Sequence, residues 1–327
     1  MKIIVCDSHI ISGHDFSVER EIIEKAGHEL VLETCRNEDD IIEHCPDADV
    51  LLDIVLRIGE RSIRSLRHCI GIVRYGIGVD EIDMDAATGY GIKVCNVSRY
   101  CMEEVALHVT ALALACCRQL PRFDACVRGG MWNRDLGRAM ARPSSQTVGI
   151  LGFGNIGRAI AKNFLGLGFN VVACDPYLPD EVFSSMNVRR VDYDELYAVS
   201  DIIVPQLHLT AETENIINKD SIARMKDGVI IVNCSRGPLI NEADFCEAVR
   251  SGKIAAAGID VMREEPMFDP DHPYCSLPNV ILTPHQAYNS VQSSYELFRQ
   301  VAETAVALAN GETPYNVLNA ARLRTAR

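Results

Sequence analysis

The sequence predicts an α/β protein built from parallel, doubly wound sheets, and two observations carry that prediction. Short apolar runs alternate with segments of helical spacing from Lys2 to Thr283, the pattern of parallel strands joined by crossover helices. One of these units, Gln146 to Asp175, contains a glycine-rich turn and lies in the middle of the 327-residue chain. A sheet built around a mid-chain unit leaves residues on both sides of it for a second domain. The expected organisation is therefore a ligand-binding domain over 101–288 inserted into a discontinuous domain formed by 1–100 and 289–327. Two chain crossings, near Tyr100 and Tyr288, would make a hinge with the active site in the cleft between the domains.

The mid-chain unit is the most specific signal. Thr147–Leu151 is an apolar run of strand length, followed by Gly152-Phe153-Gly154-Asn155-Ile156-Gly157, a helical segment to about Leu167, a second strand over Asn170–Cys174, and Asp175. Gly152 permits the tight turn, Gly154 lets the backbone approach a pyrophosphate, and Gly157 lets the helix pack against the strand. The helix N-terminus offers unpaired N–H groups to the phosphates. Asp175 would accept hydrogen bonds from ribose hydroxyls and repel a 2′-phosphate. Together these features predict a Rossmann domain that prefers NAD to NADP.

The other elements follow from local pattern. Lys2–Cys6, Glu29–Leu32, Val50–Leu52, Ile70–Tyr75 and Ile92–Asn96 read as strands, with helices over Val18–Ala26, Ile41–His44 and Arg61–Leu66. Met102–Gln119 is one long helix with an Ala/Leu/Cys stripe, suited either to a core face or to a subunit interface, and Pro121 marks its stop. Arg128–Arg142 reads as an exposed connection. After Asp175, strands are expected over Ile202–Val204, Val229–Asn233, Ala255–Asp260 and Val280–Thr283, with helices over Asp220–Met225 and Ala243–Ser251. These complete a sheet of about six strands, the usual number for this fold, and a closing helix follows over Gln292–Ala309.

Composition narrows the function classes. The chain is 48% hydrophobic and 24% charged, with a net charge of −13 and no long basic run, which argues against a nucleic-acid surface. No segment reaches the roughly 18 uninterrupted apolar residues of a membrane span, and MKIIVCDSHI lacks the apolar core of a signal peptide. The thirteen cysteines form no CxxC pair and fall mostly in apolar runs, so they read as buried thiols of a cytoplasmic protein, with no disulfide framework or metal site expected.

The chemistry is expected at strand ends, where open α/β sheets bind ligands. Asn233-Cys234-Ser235-Arg236-Gly237 follows one strand, Asp260 ends the next with Glu264-Glu265-Pro266 beyond it, and Thr283-Pro284-His285 ends the last. An arginine, a carboxylate and a histidine are what redox chemistry between 2-oxo and 2-hydroxy acids requires. The arginine fixes the substrate carboxylate, the histidine exchanges a proton with the substrate oxygen, and a carboxylate beside the histidine orients its ring.

At these residues the chain resembles the D-isomer-specific 2-hydroxyacid dehydrogenases. The resemblance runs through RYGIGVDEIDMDAA (74–87), VCNVSRYCMEEVALH (94–108), TVGILGFGNIGRA (147–159), NCSRGPLINEADF (233–245), GIDVMREEP (258–266) and TPHQAYNS (283–290). It implies a flavodoxin-like substrate domain and a homodimer built largely on the NAD-binding domain, which favours an interface role for the Met102–Gln119 helix. It also implies Arg236 as the carboxylate-binding residue, His285 as acid/base and Glu265 as its partner. By the same resemblance Asp260 contacts the nicotinamide carboxamide, Asn155 and Ile156 present N–H groups to the pyrophosphate, and Cys234, Leu207 and His208 border the cofactor. Ile77 and Gly78, in the turn that starts at Tyr75, would grip the substrate carboxylate, and Tyr288 would close over the substrate side chain.

The Tyr-Gly-x-Gly turn and the ending Thr283 to Tyr288 look most like the C-terminal-binding-protein branch, whose members include NADH-sensing corepressors. Such a sensor is the alternative to a small-molecule enzyme acting on a 2-oxo or 2-hydroxy acid. Phosphoglycerate-specific members carry a basic cluster after the third strand. Here that place reads Asp53-Ile54-Val55, with Arg57 the nearest cation, and no regulatory domain is expected after Ala320. Both features point to an unphosphorylated substrate.

Overall fold

The computed structural model describes residues 1–11 and 13–323. The chain divides into two compact units, one formed by Met1–Cys101 with Ser290–Arg327 and the other by Met102–Asn289. The first unit begins with β1 (Lys2–Val5), α1 (Ser17–Lys25), β2 (Glu29–Leu32), α2 (Glu38–His44), β3 (Val50–Asp53), α3 (Glu60–Ser65), β4 (Gly71–Arg74), α4 (Met84–Gly89) and β5 (Lys93–Cys95). Its five strands are parallel, in the order β2-β1-β3-β4-β5, with the topological switch point between β1 and β3.

Successive strand residues face opposite sides of this sheet, and each side has its own core. Ile3, Val5, Val50, Leu52 and Val73 pack into one cluster of buried side chains, and Ile4, Cys6, Leu51 and Ile72 into the other. Asp7 follows β1 and Asp53 ends β3, so two fully buried carboxylates lie at the switch point.

The second unit comprises α5 (Met102–Arg118), α6 (Leu120–Arg128), β6 (Thr147–Leu151), α7 (Asn155–Gly166), β7 (Asn170–Cys174), α8 (Asp180–Ser184), β8 (Arg189–Arg190), α9 (Tyr193–Val199), β9 (Ile202–Pro205), α10 (Lys219–Arg224), β10 (Val229–Asn233), α11 (Glu242–Ser251), β11 (Ile254–Ile259) and β12 (Val280–Leu282). Its seven parallel strands run in the order β12-β11-β10-β9-β6-β7-β8. The strand order reverses between β6 and β9, beside the glycine turn, as in a Rossmann sheet. The chain then returns to the first unit through α12 (Val291–Ala309) and α13 (Ala320–Leu323). Ser290 and Ser293 form a capping box that starts α12.

The fold class is as the sequence predicts, an α/β chain with two parallel sheets. The differences are local. The larger sheet has seven strands because β8 is only Arg189–Arg190, a pair with no apolar residue to announce a strand. The short α8 and α9 also escape periodicity. Pro121 lies in the first turn of α6, where its missing N–H costs nothing, and the break before it is made by Gln119 at φ 53°. The stripe of α5 is a core face: Val105, Ala106, Val109, Leu112, Ala113 and Cys116 are buried, and the helix packs on α7, β10 and β11. An interface on α5 would have to use other residues. Among the described residues no helix is long and apolar enough to cross a membrane.

Candidate active site

The glycine turn has one face built tightly and one left open. Gly152 sits at φ +91°, and a Cβ there would lie 2.4 Å from the Gln206 carbonyl oxygen. A Cβ on Gly157 would meet the Gly152 carbonyl oxygen at 2.3 Å. Both glycines are therefore required by the protein's own packing. Gly154 differs: nothing lies within 4 Å of a Cβ built there, and it precedes α7 with no side-chain cap on the helix. The first N–H groups of α7, on Asn155 and Ile156, lack intrahelical acceptors as at any helix start. An open, positively polarised cradle of this kind fits a pyrophosphate.

Asp175 is tied to the same turn. Its Oδ2 accepts from the Phe153 N–H at 2.9 Å and its Oδ1 from the Tyr177 N–H at 3.0 Å. Leu207 lies against Gly152, and its carbonyl accepts the Ser235 hydroxyl at 2.7 Å, while His208 is exposed. Sequence reasoning missed Arg158, whose guanidinium donates to the Phe153 carbonyl at 3.1 Å and to Asn155 Oδ1 at 2.7 Å. The signal was an arginine one residue past the last glycine.

At the ends of β10, β11 and β12 the structure brings Arg236, Glu265 and His285 into one region of the second unit. His285 Nδ1 is hydrogen-bonded to Glu265 Oε2. Glu265 Oε1 accepts from the Met262 N–H at 2.7 Å, so both carboxylate oxygens are engaged. The Nε2 of His285 has no partner among the described residues, and the ring is about half exposed. Burial pushes the Glu265 carboxyl up, but the His285 hydrogen bond and charge, the Met262 N–H and the nearby Arg236 outweigh it. The group ends below the ordinary glutamate value.

Arg236 is held by its loop. Its Nη1 donates to the Ser235 carbonyl at 2.8 Å, and its own carbonyl accepts from Asn233 Nδ2 at 2.8 Å. Gly237 lets this loop lie directly on the backbone of Met262 and Arg263, since a Cβ there would come within 2.0 Å of it. Glu264 is exposed.

Asp260 and Cys234 are buried. The Asp260 carboxylate accepts from Thr283, Gln286 and Ala287. Burial, and then Asp260's charge, push the Cys234 thiol well up, so it stays protonated. Tyr288 is exposed at the end of the same loop. In the first unit, the N–H groups of Ile77 and Gly78 have no acceptor among the described residues, while the Ile77 carbonyl accepts from Asn96 at 2.7 Å.

Residues 110–287 match the family profile described as D-isomer specific 2-hydroxyacid dehydrogenase, NAD binding domain. The chain belongs to that family. It is 32% identical over 326 residues, 98% of this chain and 100% of the other, to a hydroxypyruvate reductase of Blautia hydrogenotrophica. It is 33% identical over 320 residues to a D-3-phosphoglycerate dehydrogenase of Archaeoglobus fulgidus, covering 98% of this chain and 59% of that one. The chain spans little more than half the length of the phosphoglycerate dehydrogenases it matches. A glyoxylate reductase from Paecilomyes thermophila superposes with a TM-score of 0.86 at 28% identity, covering 97% of this chain and 98% of that one. The second unit is thus an NAD-binding domain, and the open face over Gly154 fits the cofactor.

Proposed function

We propose that the chain is an NAD-dependent oxidoreductase that interconverts a small 2-oxo acid and its D-2-hydroxy acid. The observation that carries this reading is the His285–Glu265 pair, with Nδ1 engaged and Nε2 exposed, and with Arg236 close enough for its charge to act on Glu265. NAD, when bound, supplies or takes up the hydride at the substrate carbon. His285 then gives a proton from Nε2 to the carbonyl oxygen, or removes one from the hydroxyl in the opposite direction. Glu265 holds the ring in the tautomer and orientation that present Nε2 and stabilises the imidazolium. Arg236 binds the substrate carboxylate, and the N–H groups of Ile77 and Gly78, which have no acceptor among the described residues, are donors of the kind that hold a carboxylate. Gly152, Gly154, Asn155, Ile156, Gly157, Leu207, His208 and Asp175 form the cofactor cradle, and Tyr288 borders the substrate side chain.

The substrate we favour is unphosphorylated. The third strand ends at Asp53, which turns into the core, and Arg57, in the segment that follows, is exposed. Hydroxypyruvate and glyoxylate, named for relatives of this chain, are substrates of the right size. We also read the protein as cytoplasmic, because all thirteen cysteines are free thiols and eleven are buried. We read it as a homodimer through the NAD-binding domain. Leu107, Leu120, Val127, Met131 and the 88%-exposed Trp132 leave an apolar surface on α5, α6 and the segment after them.

The test is reduction of glyoxylate, hydroxypyruvate, pyruvate, 2-oxobutyrate and branched 2-oxo acids by NADH, followed by loss of NADH absorbance. Turnover with at least one unphosphorylated acid is expected. Tight NADH binding without reduction of any acid overturns the enzyme reading and leaves the corepressor-like sensor, which the Tyr75–Gly78 turn and Tyr288 support.

A further inference from the structure

His285 is joined to Glu265 through one ring nitrogen, so the direction of its other nitrogen depends on the backbone that carries the ring. Asp260 holds that backbone. Its main-chain carbonyl accepts the His285 N–H at 2.7 Å, its Oδ1 the Gln286 N–H at 3.1 Å, and its Oδ2 the Ala287 N–H at 2.9 Å. Three successive amides end on one residue. His285 sits at φ 50°, a conformation that a residue with a side chain keeps only where its surroundings enforce it.

Asp260 is itself fixed from α5 and the end of β12. The Thr283 hydroxyl donates to Asp260 Oδ1 at 2.5 Å. His108, on α5, places Nε2 3.1 Å from Thr283 Oγ1 and 3.5 Å from Asp260 Oδ1. A threonine hydroxyl has one proton. With that proton given to Asp260, Oγ1 is left as an acceptor, so His108 must present an N–H at Nε2.

We propose that His108 is a positioning residue for His285, acting through Thr283 and Asp260 on the loop that carries the ring. The proposal rests on the reading of His285 as the acid/base group. Among the described residues His108 makes no hydrogen bond to the His285 ring or to Glu265, so its effect runs through the loop.

Two variants separate this role from simple packing. His108→Leu keeps the volume and removes the N–H, whereas His108→Gln restores a donor of similar reach. With NADH and hydroxypyruvate, His108→Leu is expected to lower kcat about tenfold, the worth of one net hydrogen bond, and to leave KM nearly unchanged. In the protein without substrate, the 283–289 segment should exchange its amide hydrogens about tenfold faster, by the same arithmetic. His108→Gln should return both measures toward the parent values, and Thr283→Val should reproduce the Leu phenotype if His108→Leu fails to fold. Equal effects of Leu and Gln, or unchanged exchange over 283–289, overturn the proposal. If the parent protein reduces no 2-oxo acid, the acid/base reading has failed, and the exchange measurement alone decides whether His108 holds the loop.

Discussion

Glu265 in the second unit, its side chain one-third exposed, and Asp53 in the first, fully buried, are both pushed toward the neutral acid by loss of hydration, yet they end on opposite sides of their ordinary values. Glu265 has a histidine on one oxygen, a backbone N–H on the other and an arginine nearby, and its carboxyl is lowered. Asp53 is fully buried, and after burial the strongest influence on it is the negative charge of Asp7. Arg74 opposes this without reversing it. Asp53 Oδ1 accepts from the Leu56 N–H at 3.1 Å, and Oδ2 has no hydrogen-bond partner among the described residues. Loss of hydration acts on both carboxylates in the same direction. The donors aimed at each one decide whether it holds a charge that another group can use.

The sharpest test of the contrast is Glu265→Gln, which keeps the shape and removes the charge. Turnover should fall on the order of 10²–10⁴-fold, the range of a lost acid/base function, while NADH affinity changes little. Steady-state kinetics and NADH fluorescence titration read the two separately, and equal losses would remove the acid/base assignment. The pH dependence has a defined sign. A carboxyl lowered in the folded state stabilises the fold above its ordinary value, and that contribution disappears as pH falls through the lowered one. The stability difference between parent and Glu265→Gln should accordingly shrink in acid.

Asp53→Asn should behave in the opposite way. An acid raised in the folded state keeps a proton that the unfolded chain has released, so its contribution worsens as pH climbs from the ordinary aspartate range toward the raised value. The amide retains an acceptor for Leu56. Around pH 8 the variant should melt higher by about 2–4 °C, the yield of roughly 1 kcal/mol in a domain of this size class, with the gap closing toward pH 4. Thermal scans across that range check it, and a variant that melts lower at pH 8 would mean that Asp53 is ionised and usefully paired.

The same contrast marks what could be read from the sequence. The alternation of strands and helices predicts both parallel sheets, because runs such as Val229–Asn233 are buried along their whole length and show it in composition. The strand ends point to Arg236, the Glu264–Glu265 pair and His285 because chain order and strand direction bring those positions to the same end of a parallel sheet, and the choice of Glu265 rests on the family resemblance. What the sequence could not reveal depends on side-chain direction. Nothing in Asp53-Ile54-Val55 says that the aspartate turns inward against Cys6 and Asp7. Nothing in MEEVALH says that His108 reaches Thr283, 175 residues away. Nor does β8 signal itself, since two adjacent arginines carry no periodicity.

Asp175 gives the finest test, because under the proposed function its carboxylate has two duties. One is electrostatic, the repulsion of a 2′-phosphate. The other is structural, the bond from the Phe153 N–H that ties β7 to the glycine turn. Asp175→Ala removes both and should weaken NADH and NADPH together. Asp175→Asn keeps an acceptor for Phe153 and removes only the charge. It should narrow the NADH/NADPH affinity ratio by about tenfold, equivalent to ~1.4 kcal/mol, with NADH affinity nearly unchanged. Arg190, which donates to the Asp175 carbonyl at 3.1 Å, is the nearby cation that a 2′-phosphate would then meet. Fluorescence titration of both cofactors against both variants reads the two duties apart. If Asn and Ala weaken NADH equally, the charge is what holds the cofactor, and the bond to Phe153 adds little to the turn.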